Sequence, residues 1–266
     1  MNLWIPALLI LAGCDSGPKP PTPVPPPPAP VSASSEVKKP DPAPAVAAPA
    51  GETGSVIGTV KLEAAVRRPF VKGLPADPNC AAKHPEGLLS DEIVVDAQNN
   101  VQYAFVHVKA GLPGGATYPV PAQPVLLDQT GCRYVPHVLG LMAGQPLLLR
   151  NSDDLGHNVH GVPFANPEWN TAQKPGQQDE RKLANREVMV KVMCNIHPWM
   201  SAWVGVLDHP YFAVTDAAGR FDIKGLPPGK YTLEAWHEKY KSVTADVEVK
   251  AKEAAAASFT LKEKKE

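Results

Sequence analysis

The sequence predicts an all-β protein. From residue 54 onward, short runs rich in β-branched and aromatic residues recur, and most are bounded by Gly, Pro, Asn or Asp, the residues of turns. No window shows a sustained apolar period of 3.6 residues, which would indicate an amphipathic helix. The alanine-rich stretch 254–257 leads into Ser-Phe-Thr-Leu, which alternates as a strand does. Strands are therefore expected throughout residues 54–262.

The first residues have the pattern of an export signal. Residues 3–11 form an apolar run that is too short to span a bilayer, and Leu-Ala-Gly-Cys follows at 11–14. This tetrapeptide resembles the lipobox of bacterial lipoproteins. The resemblance implies that residues 1–13 are a signal peptide and that Cys14 is lipidated, which anchors the protein to a membrane in the periplasm or at the cell surface. The alternative is a buried N-terminal strand with a chance cysteine.

Residues 14–53 are predicted to be a tether. Residues 15–53 contain 13 of the 31 prolines together with many alanines, and large apolar side chains are scarce. Such a stretch has little to bury, so it stays disordered or extended as polyproline II. It would hold a soluble domain away from the membrane while keeping that domain attached.

The first folded unit is predicted at residues 54–207. Its strands are expected near 56–62, 93–96, 101–108, 146–150, 187–193 and 202–207. Residues 162–187 contain several prolines and glutamines, and we expect an insertion or an irregular loop there.

Four side chains of this unit form a candidate metal site. Cys194, His197 and Met200 are spaced by three within one short segment, and His157 lies 37 residues upstream of the cysteine. That separation is typical of a neighbouring strand that reaches the same end of a β-sandwich. Two imidazoles, a thiolate and a thioether are the ligands of a blue-copper centre, because soft sulfur suits Cu(I) and imidazole binds both oxidation states.

This spacing resembles the cupredoxins, and the loop resembles that of amicyanin. The resemblance implies a Greek-key β-sandwich with one type 1 copper held by His157, Cys194, His197 and Met200. It also implies that Asn151 braces the cysteine loop by hydrogen bonds and that the exposed edge of His197 is the electron port. Axial ligands vary in such sites, so the role of Met200 stays open.

Another reading of these residues is a buried Cys and Met with two surface histidines, which leaves the joint spacing unexplained. His160 lies three residues after His157, and an odd offset on a strand points side chains to opposite faces. We therefore expect His160 to lie outside the metal site.

Residues 208–262 are predicted to form a second, smaller unit. Thr-Asp-x-x-Gly-x-Phe at 215–221 and Leu-Pro-x-Gly-x-Tyr at 226–231 each place a tight turn beside a strand. Both motifs resemble the carboxypeptidase regulatory-like domain, which implies a prealbumin-like β-sandwich. About 55 residues is short for such a sandwich. Either its first strand is borrowed from 54–62, or the two units share one sheet.

The remaining cysteines form a candidate disulfide. With Cys14 lipidated and Cys194 on the metal, Cys80 and Cys132 remain in an oxidising compartment, where they are expected to pair. The alternative is two buried free thiols.

These features predict a membrane-tethered copper protein that transfers single electrons and is not an enzyme. Its partners would be redox proteins, such as a c-type cytochrome or a periplasmic oxidoreductase. The net charge of −1 argues against nucleic acid as a partner. One alternative is a periplasmic copper-binding or copper-delivery lipoprotein, although only five methionines count against it. Another is a carbohydrate-binding-like module.

Overall fold

The computed structural model describes Met1 and residues 51–263. The predicted signal peptide, the lipidation at Cys14 and nearly all of the tether lie outside the described residues, so they stay predictions. The features below belong to the unit Pro42–Glu266, one of the two into which the chain divides. Within the described part of the chain, no helix has the length and apolar character needed to cross a membrane.

Almost all of the regular secondary structure in the described part of the chain is strand, which confirms the all-β prediction. The first nine are β1 (Gly54–Leu62), β2 (Val94–Val95), β3 (Val101–Gln102), β4 (Phe105–Ala110), β5 (Val125–Gln129), β6 (Tyr134–Val135), β7 (Val138–Met142), β8 (Pro146–Asn151) and β9 (His157–Val162). The others are β10 (Trp169–Gln173), β11 (Gln178–Lys182), β12 (Glu187–Met193), β13 (Ser201–Leu207), β14 (Phe212–Val214), β15 (Arg220–Leu226), β16 (Gly229–Trp236), β17 (Val243–Val249) and β18 (Ala254–Leu261).

Two short helices, which the sequence reasoning did not predict, follow β1. A 3-10 helix covers Leu74–Ala76, and α1 covers Pro78–Lys83. The side chain of Asp77 accepts hydrogen bonds from the backbone N–H groups of the second and third residues of α1, and proline occupies its first position. Asp followed by Pro is a helix-start signal, because the carboxylate caps free N–H groups and proline needs no hydrogen bond there.

The first sandwich contains a five-stranded sheet, in the order β10-β9-β12-β13-β7, and a four-stranded sheet, β11-β8-β5-β6. One core of buried side chains lies within it, including Leu127, Leu149, Val192 and Val204. The segment 162–187, expected to be irregular, instead forms the edge strands β10 and β11, which join different sheets. The side chains of β11 are polar on both faces of the strand, so no hydrophobic pattern in the sequence indicated this strand.

The second sandwich combines strands from both ends of the described chain. β1 pairs with β15 and β18, and β4 pairs with β14 and β16. Their buried side chains share a second core, which includes Val56, Val106, Phe221 and Phe259. The second sandwich therefore takes its first strand from residues 54–62, which was one of the two arrangements expected. The predicted boundary at residue 207 does not separate the two cores, because β1 and β4 lie before it in the chain.

A third apolar cluster joins the two sandwiches. Phe105 of β4 packs with Val138, Met189 and Leu207 from the first sandwich. Phe105 is fully buried, and the glycines of β7 and β13 leave room for its ring, since a Cβ at Gly140 or Gly205 would lie within 2.7 Å of it. This packing places the first sandwich directly on the β4 sheet.

Candidate metal centre

Three neighbouring strands bring the predicted ligands to one end of the first sandwich. β9 and β12 run antiparallel with Met193 opposite His160, so the start of β9 meets the end of β12. His157 is the first residue of β9, and Cys194 follows β12 directly. The segment from Cys194 to Met200 closes the β12–β13 hairpin. The 37-residue separation thus places His157 beside the loop, as predicted.

The centre is a buried cluster of His157, Cys194 and His197, whose ligand atoms all lie within 4.8 Å of one another. The Nδ1 atoms of the two histidines are 3.0 Å apart, and His197 Nδ1 is 3.8 Å from Cys194 Sγ. The two imidazole rings are nearly perpendicular, with centroids 4.9 Å apart. One nitrogen of each ring and the sulfur therefore converge on a common point.

Two carboxylates hold the outer nitrogens of the rings. Nε2 of His157 lies 2.7 Å from Asp153, and Nε2 of His197 lies 3.0 Å from Asp77. Hydrogen bonds from His197 and from backbone amides lower the pKa of Asp77, so this carboxylate is ionised and accepts. Burial alone would raise the pKa of Asp153, but hydrogen bonds from His157 and from backbone amides bring it to about 2. Both Nε2 atoms therefore carry the proton and donate.

The inward-facing atoms are consequently electron-pair donors. With the proton of each ring on Nε2, the neutral form of either imidazole presents its lone pair at Nδ1. Burial alone would raise the pKa of Cys194, but hydrogen bonds from His157 and from backbone amides lower it, which favours the thiolate. Two lone pairs and a thiolate converging in a buried site need a cation between them or an extra proton.

His157 can supply the extra proton that the converging lone pairs and thiolate require. Burial alone would lower its pKa, but the hydrogen bonds with Asp153 and Cys194 outweigh burial and raise the pKa to about 9. In the metal-free chain the extra proton is therefore held at this ring. Imidazole and thiolate are ligands for copper and zinc, and carboxylate behind a ligating histidine is a common support. The residues present fit a soft or borderline metal ion.

Met200 is the last residue of the same loop, directly before β13. Its side chain is buried, and it belongs to the same apolar core as Cys194. Its N–H donates to the carbonyl of His197, and its carbonyl accepts from the N–H of Cys194. These bonds fix the backbone of the loop, whereas ligation by the thioether stays a prediction.

The bracing role expected of Asn151 belongs to another residue. The Asn151 side chain donates to the carbonyls of Leu155 and Gln173 and accepts from the N–H of Asp153, so it shapes the turn before β9. The cysteine loop is braced instead by Asn158, whose Oδ1 accepts the N–H of Asn195 at 3.1 Å. The register of β9 against β12 explains this difference, because it places Asn158 next to Asn195, the residue that follows Cys194.

The expected exposure of His197 is also corrected. This side chain is 2% exposed, because residues 73–84, here called the cap segment, lie over its outer edge. Cys80 Sγ, within the cap segment, is 3.8 Å from His197 Nε2. The disulfide between Cys80 and Cys132 is confirmed. Asp77 was missed as a site residue, and its only local signal was the Asp-Pro helix start.

His160 lies outside the centre, as expected. Its Nδ1 is 3.1 Å from Asn195 Oδ1, and its Nε2 is 2.7 Å from Glu168. These contacts place the ring on the side of β9 that faces away from His157.

Comparison with known proteins gives one family and several structures. Residues 201–262 match the model of the carboxypeptidase regulatory-like domain, which confirms the resemblance of the C-terminal unit. No curated protein matches the chain.

Three solved structures show a partial likeness. A copper-containing nitrite reductase from Thermus scotoductus is 20% identical with a TM-score of 0.31, over 38% of this chain and 26% of its own length. Amicyanin from Paracoccus versutus is 18% identical with a TM-score of 0.28, over 38% of this chain and 96% of its own. A purple cupredoxin from Nitrosopumilus maritimus is 22% identical with a TM-score of 0.27, over 31% and 97%. The likeness covers only part of this chain, and inferences about the metal centre depend on its own contacts.

Proposed function

We propose that this protein is a copper protein of the type 1 class that carries single electrons between redox partners. The observation that supports it is the convergence of His157 Nδ1, His197 Nδ1 and Cys194 Sγ in a buried site, with both outer nitrogens held by carboxylates. When bound, copper would supply a one-electron couple.

The chain's own residues would prepare the site before a metal arrives. Asp153 and Asp77 keep the protons of the imidazoles on Nε2, which leaves Nδ1 free to ligate. The bond from Asn195 to Asn158 holds the cysteine loop against β9. Because side chains in a packed core rearrange little, such a site favours small changes of geometry between two oxidation states.

The location and partners are part of the proposal. Lipidation at Cys14 and the proline-rich tether would keep the protein at a membrane, in the periplasm or at the cell surface. Its electron donors or acceptors would be redox proteins, such as a c-type cytochrome or a periplasmic oxidoreductase. We propose a carrier and not an enzyme, and the C-terminal domain would serve as structural support through its packing with the first sandwich.

The test is the absorption spectrum of the purified full chain after loading with copper. An intense blue or purple charge-transfer band from the thiolate is expected in the wild type. It should be lost in Cys194→Ser and His157→Ala and retained in the matched control His160→Ala, which removes an imidazole of the same strand outside the cluster. A colourless protein that binds Cu(I) tightly would instead favour copper delivery, and a band that survives Cys194→Ser would refute the site.

A further inference from the structure

Asp77 has two bonding partners that belong to different parts of the molecule. Its Oδ1 accepts the N–H groups of Asn79 and Cys80 at 2.9 and 3.2 Å, which caps α1. Its Oδ2 lies 3.0 Å from Nε2 of His197. A carboxylate offers two oxygens and several lone pairs, so one residue can complete a helix start and orient a ring. A side chain with a single acceptor oxygen could serve one of these two functions but not both together.

The disulfide ties this carboxylate to the one behind the other histidine. Cys80 is capped by Asp77, and it is bonded covalently to Cys132. The N–H of Cys132 in turn donates to Oδ2 of Asp153 at 2.8 Å, and Asp153 holds His157. The supports of both rings are therefore joined through one covalent bridge.

Further contacts fasten the cap segment at its far end. Nε2 of His84 is 2.7 Å from the carbonyl of Gly131, next to the disulfide, and Lys83 pairs with Asp154 at 2.6 Å. The near end is apolar, since Leu74 is buried in the same core as Trp199, the residue two after His197. The cap segment is thus attached on both sides of Asp77.

We propose that Asp77 is a positioning residue of the metal centre and that the cap segment, held by the disulfide, closes the outer edge of His197. Asp77 keeps the proton on Nε2, so Nδ1 presents its lone pair to the metal. The closed edge also means that a redox partner cannot contact this ring directly. The proposal rests on the proposed function for its metal, but the tautomer and the closure are properties of the metal-free chain.

The first experiment measures His197 in the metal-free full chain. Diethylpyrocarbonate modification is followed residue by residue by peptide mass spectrometry, and ¹⁵N NMR reports the tautomer of the ring. In Asp77→Ala, modification of His197 should accelerate at least about tenfold, because the bond to a charged acceptor is worth more than a tenfold shift in an equilibrium. Asp208→Ala is the matched control, since it removes a carboxylate that is 67% exposed and pairs with Arg186, outside the cap segment.

The second experiment uses copper-loaded full chains. Asp77→Asn keeps one acceptor but presents an amide NH₂ either to the helix or to Nε2, so it should weaken copper binding by about 10- to 100-fold. Asp208→Asn, with the same change in net charge, should leave the affinity unchanged. If Asp77→Ala cannot be purified, Cys80→Ala/Cys132→Ala should release the cap segment and accelerate the same modification.

The outcomes separate the two proposals. A wild type that stays colourless with copper would refute the electron carrier, while modification of His197 would still decide the role of Asp77. A coloured wild type would leave the electron carrier standing. The positioning role alone would be refuted if Asp77→Ala kept the wild-type modification rate and tautomer and Asp77→Asn kept the wild-type copper affinity.

Discussion

Loss of the Cys80–Cys132 disulfide should lower the stability of the metal-free chain substantially. The two cysteines are separated by 52 residues, and both side chains are buried. In the chain-entropy model, a cross-link that closes a loop of this length removes conformational entropy from the unfolded state and so raises its free energy by about 4 kcal/mol. The change to make is Cys80→Ala/Cys132→Ala, because alanine leaves no unpaired hydroxyl in a buried site.

The assay is equilibrium unfolding in urea, monitored by tryptophan fluorescence. The variant should unfold at a lower midpoint, by an amount that corresponds to about 4 kcal/mol, and its m-value should rise because the unfolded chain exposes more surface. For a folded part of this size, a loss of that magnitude lowers the melting temperature by about 10 °C.

A matched comparison is the wild type in an excess of a reducing agent, which should reproduce the unfolding midpoint of the variant. If reduction and substitution each change the free energy of unfolding by less than about 1 kcal/mol, the entropic reasoning fails. An unchanged modification rate of His197 in either sample would show that the cap segment stays in place without its covalent bond.

Three further changes test other parts of the structure. Asn158→Ala removes the acceptor for the N–H of Asn195 and the donor to Asn170, so the free energy of unfolding in the same urea titration should fall by about 1–3 kcal/mol, and an unchanged value would show that these bonds do not stabilise the loop. Burial lowers the pKa of His209 to about 4, so only the unfolded state gains this proton between about pH 6.5 and 4, and wild-type stability should fall as pH falls, by about 1.4 kcal/mol per unit, relative to His209→Gln; equal slopes for the two proteins would contradict the burial argument. Gly219→Ala places a Cβ 2.7 Å from a carbonyl oxygen of β1 at a φ of +68°, so it should melt lower than the control Gly176→Ala, which has a φ of +75° and open space around it; melting temperatures that match would show that the close contact costs nothing.

Much of the first sandwich could be predicted because its signals are local. Strands were predicted near 146–150 and 187–193 from short apolar runs bounded by turn residues. The segment from Cys194 to Met200 is a hairpin loop, so the candidate ligands within it are near each other along the chain. His157 could be assigned to the same site because neighbouring strands of a sheet end at the same edge. The strands β10 and β11 were missed because their side chains are mostly polar or exposed, which leaves no hydrophobic pattern to detect.

The division of the chain between its two cores could not be predicted. β1 is apolar on alternate residues, a pattern that would suit either sandwich, and its parallel partner β18 lies at the other end of the folded part. Pattern determines which face of a strand is buried, but the partner is selected by packing over the whole molecule. The same limit applies to Asn151 and Asn158, since only the register of β9 against β12 decides which amide meets the loop.

The sequence by itself determined that the chain is all-β, that four sulfur and imidazole side chains have the spacing of a metal site, and that Cys80 and Cys132 are suited to pair. Each of these depends on short-range spacing or on residue chemistry. The tertiary structure alone decided that Asp77, 120 residues before His197, meets its outer nitrogen and that the ring is closed rather than exposed. Such contacts leave no local pattern in the sequence. The entropy lost in closing the loop between Asp77 and His197 is offset by packing, helix capping and the disulfide, which are made elsewhere in the fold.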